Sequence, residues 1–139
     1  MKVLTRMLFI AVSLSLLAGI AAAERPERMA MTAAEEWLRL VDKGEYAKSW
    51  REASSLFKAG GAEEEWIRTV ASVRKPFGKV LRRAVKSMQY TKTLPGAPDG
   101  EYVVIVYDTS FKKKKSSVET ITPMLDKDGK WRVSGYYIR

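Results

Sequence analysis

The sequence predicts an α+β fold: three N-terminal helices packed on a curved four-stranded antiparallel sheet, in a single domain. Three observations predict it. Apolar residues recur at helical spacing from Thr32 to Val73, strand-like segments follow from Val80 onward with Glu101–Phe111 β-branched and aromatic, and hairpin-type turns divide that second half. With 139 residues, 46% of them hydrophobic and 29% charged, the chain is long enough for one core and too short for two ordinary domains.

Each element has its own local warrant. Thr32-Ala33-Ala34-Glu35 is a capping-box pattern, and Ala34, Trp37, Leu38 and Val41 follow it on one stripe. Gly44 offers a left-handed stop. Glu45–Phe57 predicts a second helix with Tyr46, Trp50, Ala53 and Phe57 on its buried face, broken by Gly60-Gly61. Ala62–Val73 predicts a third, with Glu63, Glu64 and Glu65 where the helix dipole favours acids, and Pro76 ends it.

The strands follow. Val80–Lys92 alternates imperfectly, the mark of a strand with a bulge, and Leu94–Gly100 is a dense turn signal. Glu101–Phe111 is the clearest strand, and its run from Tyr102 to Tyr107 reads as buried on both faces. The four lysines Lys112–Lys115 connect it to Ser116–Leu125, where Glu119, Ile121 and Leu125 share one face and Pro123 suggests an edge or an end. Asp128-Gly129 is a hairpin turn, and Trp131–Ile138 is the last strand.

Residues 1–23 read as a cleaved signal peptide. Lys2 and Arg6 form a basic start, Met7–Ile20 is an apolar run, and Ala21-Ala22-Ala23 supplies the small residues of a cleavage site. The alternative is an uncleaved N-terminal anchor. The apolar run is shorter than the roughly 20 residues a spanning helix needs. The expected mature domain is 24–139, exported to the periplasm or secreted, with no transmembrane segment. A disulfide-free exported domain fits a bacterial envelope.

Cysteine and histidine are both absent. Thiolate chemistry, Cys/His zinc sites, Ser-His triads and a histidine base are thereby excluded. The glycine-rich pieces lack the strand–glycines–helix context of a phosphate loop, and the acids make no metal-ligand cluster, so no cofactor is expected. One carboxylate pair stands out. A hairpin loop of two or four residues at Lys112–Lys115 would set Asp108 opposite Glu119, like an acid/base dyad. A register differing by one, or neutralisation by the neighbouring lysines, would dissolve that pair.

Charge is divided unevenly. Glu24–Trp66 carries ten acids and seven bases, whereas Ile67–Arg139 carries sixteen bases and six acids. Arg74, Lys75, Lys79, Arg82, Arg83 and Lys86 belong to an acid-free run, and Lys112, Lys113, Lys114 and Lys115 follow at a hairpin tip. Such a patch attracts anions at long range. In an exported protein the expected partner is an anionic envelope component; nucleic acid would be in the wrong compartment. A solvated sheet surface that keeps the protein soluble is the plainer reading.

Several stretches together resemble a known family. They are Ala34-Glu35-Glu36-Trp37-Leu38, Gly44–Trp50, Arg74–Val80, Leu94–Tyr102 and Asp128–Tyr136. In these the chain is similar to a small exported bacterial family, the domain of unknown function 4019. Its order of helices then strands resembles the cone-shaped cystatin and nuclear-transport-factor superfamily. The resemblance implies fold and export, and brings no catalytic residues with it. Cone folds often keep a pocket between sheet and helices, which Tyr46, Trp50, Tyr90, Tyr107 and Asp108 are expected to line, with room for a small amphipathic ligand. The functional expectation is a non-catalytic binding protein. The alternative is a cone-fold enzyme using Asp108 as a pocket general base, and an exposed Asp108 would favour the binder.

Overall fold

Pro26 has no N–H to leave unpaired and a φ suited to a helical first turn; it stands second in α1 (Arg25–Asp42). The computed structural model describes residues 25–139; the expected signal peptide lies outside the described residues. Because α1 begins at Arg25, Thr32 is no cap: it sits inside the helix and its Oγ1 donates to Arg28 O. The helix ends as expected. Gly44 adopts φ 78°, and the Gly44 and Glu45 amides donate back to Val41 O and Leu40 O, satisfying two terminal carbonyls.

The expected second helix is two. α2 (Tyr46–Glu52) stops at Ala53, and α3 (Ser55–Ala59) restarts behind Ser54, whose Oγ accepts from Phe57 N. Ser54 N donates to Val133 O in the last strand, which turns the chain at that point. α4 (Glu63–Arg74) follows, with its three acids in the first turn. Four helices therefore replace three among the described residues.

Four strands form one antiparallel sheet in sequence order: β1 (Val80–Thr91), β2 (Tyr102–Phe111), β3 (Ser117–Leu125) and β4 (Trp131–Ile138). β1 carries irregularities at Val80/Arg82 and Val85/Ser87, matching the imperfect alternation of its sequence. Pro123 sits at a register shift in β3, an inner strand, where its missing N–H is tolerated near the strand's end.

The helices cover one face of the sheet. Ala34, Trp37, Leu38 and Val41 of α1 pack against Val103, Ile105, Tyr107, Ile121 and Val133. Trp37 is the hub: its ring centroid lies 5.4 Å from Tyr136, 5.8 Å from Trp66 and 6.1 Å from Phe57, and its Nε1 donates to Ser49 O at 2.8 Å. β2 corrects one expectation. Its inner residues from Val103 to Phe111 are buried in alternation, but Val104, Val106 and Ser110 between them are half-buried and Asp108 is exposed. One face of this strand is covered, not two.

Candidate functional site

The β2–β3 pairing fixes where the acids go. Tyr107 stands opposite Glu119 and Asp108 opposite Val118, so the register differs by one from the pairing that would join Asp108 to Glu119. The Lys112–Lys115 connection folds on itself through reciprocal bonds between Phe111 and Lys114, and regular pairing resumes at Thr109–Ser117. Glu119 therefore faces the helices with 0% exposure, while Asp108 faces solvent on the opposite side.

Glu119 is fully bonded. Its Oε1 accepts from Arg83 Nε at 2.7 Å and Thr109 Oγ1 at 2.6 Å; its Oε2 accepts from Arg83 Nη2 at 3.2 Å and from the Tyr136 hydroxyl. Arg83 also donates from Nη1 at 2.8 Å and Nη2 at 3.1 Å to Asp42, which receives Arg74 Nη2 at 3.0 Å as well. A chain of alternating charge, Arg74–Asp42–Arg83–Glu119, thus ties α4 and α1 to β1 and β3. Burial alone would lower the Arg83 pKa, but its bonds to Asp42 and Glu119 outweigh burial and raise it. Burial, then the Glu119 carboxylate, raises that of Tyr136.

The expected anion patch is therefore divided. Arg74, 6% exposed, and Arg83, 15% exposed, leave it for the internal ion-pair chain. The lysines converge instead. Lys112 N donates to Lys79 O and Lys113 N to Phe77 O, clasping the β2–β3 loop onto the segment that precedes β1. Lys113 lies across Gly78, whose φ of 74° favours glycine and where a Cβ would meet Lys113 Cγ at 3.2 Å. The Lys114 ammonium sits 4.8 Å from the Phe77 ring centroid, and Phe77 packs edge-on against Phe111. Lys75, Lys79 and Lys112–Lys115 all lie exposed at or beside this clasp, and none makes an ion pair among the described residues. Arg82 continues the patch on the outer face opposite Ser110, and Lys86 lies exposed further along β1 at its irregularity.

The five expected pocket residues are not brought together. Tyr107 and Asp108 stand on opposite faces of β2. Tyr90 is opposite Val103, its hydroxyl donating to Glu101 Oε1 at 2.7 Å, and Tyr46 packs against the core. Tyr107 borders a groove of about 290 Å³ together with Glu35 and Arg83; its buried hydroxyl has no hydrogen-bond partner, and burial pushes its pKa up to about 12. Trp50 borders a different groove, of about 310 Å³, between α2, α3 and α4.

Sequence reasoning missed Asp42, Thr109 and Tyr136 as partners of the buried charges. One signal was present: Glu119 shares its alternation with Ile121, which places a carboxylate on the apolar face. The Trp66 side of the second groove gave no signal, because Trp66 reads as ordinary core spacing.

A four-stranded antiparallel sheet with helices against one face, an apolar core between them, a partly buried ion-pair chain at its margin and a clasp of lysines defines the protein as α+β. The chain belongs to the family described as "Protein of unknown function (DUF4019)", which matches residues 33–136. No curated protein and no solved structure matches it.

Proposed function

We propose that this protein is a non-catalytic exported binding protein whose lysine clasp recruits an anionic envelope component. The observation that carries the reading is the convergence of six exposed lysines, from two separate segments, at the Phe77–Lys115 clasp. Backbone bonds hold the loop in place, so its main chain needs little ordering on binding. The exposed Asp108 and the fully bonded Glu119 also support a binder over an enzyme, since neither is a carboxylate waiting in a pocket. The apolar run and three alanines at the start of the sequence support export, and the order of elements supports a cystatin or nuclear-transport-factor-like cone.

The test is sedimentation with vesicles of anionic or neutral lipid at low and moderate salt. Each lysine near an anionic surface contributes about 1 kcal/mol. Anionic vesicles should retain the protein, salt should release it, and changing Lys112–Lys115 to Ser should remove most of the binding. Equal retention on neutral vesicles, or an unaffected quadruple variant, would sink the proposal. N-terminal sequencing of the exported protein, expected to begin at Glu24, tests the export step separately.

A further inference from the structure

The Trp50 groove has a chemistry of its own. Trp50, Phe57 and Trp66 give it aromatic walls, and Phe57 and Trp66 meet edge-on at 4.9 Å. Both indole N–H groups are already spent inside the protein: Trp50 Nε1 on Gly61 O at 3.1 Å, and Trp66 Nε1 on Ser49 Oγ at 2.9 Å. The Ser134 hydroxyl, also in the lining, donates to Thr122 O. The aromatic groups therefore offer the groove ring surface and no N–H donor.

One charged group lines the groove. Glu65 lies against Gly61, where an added Cβ would meet its Oε2 at 3.4 Å, and it makes no ion pair among the described residues. Glycines at 60 and 61 put no side chain into that wall. The chain itself shows that a cation reaches one of these rings, for the Lys58 ammonium stands 5.8 Å from the Trp50 centroid. Aromatic rings beside a carboxylate that makes no ion pair favour a positive guest.

From the aromatic walls, the committed indole N–H groups and the unpaired Glu65, we infer that this groove binds a small free organic cation of the alkylammonium class. A groove of about 310 Å³ suits a guest of a few heavy atoms beyond a trimethylammonium group. The site is separate from the lysine clasp: Glu65 lies in the first turn of α4 and Lys75 beyond its end, roughly 15 Å along the helix axis. It does not depend on the clasp's function.

Calorimetric titration of the folded protein with choline, and with its uncharged isostere 3,3-dimethylbutan-1-ol, isolates the charge. Choline should bind saturably and at least roughly tenfold tighter than the isostere. Glu65→Gln, a change at an exposed position, should weaken choline about tenfold and leave the isostere unchanged. Trp50→Leu keeps the position apolar but removes its aromatic ring, and should lose the preference for the cation. The inference is overturned if choline fails to bind up to about 50 mM, well beyond the millimolar range of weak ligands. Equal binding of choline and the isostere, or a Glu65→Gln variant that binds choline as tightly, overturns it as well.

Discussion

Arg83 grips Glu119 at two points, Nε to Oε1 at 2.7 Å and Nη2 to Oε2 at 3.2 Å, at a position where Glu119 has no contact with solvent. Desolvating two such charges costs several kcal/mol per ion, which their attraction and additional hydrogen bonds must offset. Thr109 and Tyr136 supply those bonds. The pair is thus best understood as a joint between β1 and β3, whose worth shows when one member is removed.

Glu119→Ala should destabilise the protein by about 3–5 kcal/mol, because Arg83 is left half-buried with an incomplete set of partners. Replacing both residues with apolar ones of similar size should restore much of that loss. Urea denaturation midpoints measure both, and an unchanged midpoint in the single variant would refute the joint.

Tyr107→Phe should hold or raise stability, by up to about 1 kcal/mol, since the hydroxyl it deletes is buried without a partner. It should also alter the alkaline limb. The Tyr107 pKa is raised by burial to about 12, so its contribution is complete below the ordinary tyrosine value of about 10 and is lost as pH rises toward 12. Thermal melts from pH 9 to 12 should fall less steeply in the variant; identical slopes would count against the assignment.

Trp37→Ala should cost about 3–5 kcal/mol, the range for deleting a core aromatic. Trp37 touches Phe57, Trp66 and Tyr136 and its N–H is bonded, so no neighbour can swing in to fill the space. Trp50→Ala, at a groove edge, should cost clearly less. Comparing the two by denaturation separates hub from rim.

Asp126 accepts from Ser55 Oγ at 2.6 Å and from Ser55 N at 2.9 Å, fastening α3 to the β3–β4 turn. The Ser55 hydroxyl, foremost, lowers its pKa. A lowered carboxylate pKa gives stability that is full above the ordinary aspartate value of about 3.9 and is lost as pH falls through the depressed one. Asp126→Asn should therefore lose stability at pH 7 and approach the parent below pH 3. A constant difference across that range would contradict the assignment.

Much of the sheet was legible because its signals are local. The bulged alternation of Val80–Lys92 and the Asp128-Gly129 turn act within a few residues, and both hold. What failed was set by distant partners. Ser54 looks like helix interior until Val133 draws its amide away, and Thr32 looks like a cap until Pro26 starts the helix earlier. The parity of the lysine loop decided the acids: one residue of register moves Asp108 and Glu119 from a shared face to opposite faces. Arg74 and Arg83 read as patch residues because Asp42 and Glu119, their partners, are remote in sequence.

The contact between Trp37 and Tyr136 joins residues roughly a hundred positions apart. During synthesis the side of Trp37 that Tyr136 covers therefore stays open until β4 has emerged, although Phe57 and Trp66 can meet the ring earlier. A chain halted before Trp131 has helices and a partial sheet but nothing to seat Trp37 against on that side. A nascent chain with that side open exposes apolar surface, the state in which chaperones meet their clients. Closure comes late and involves both halves at once.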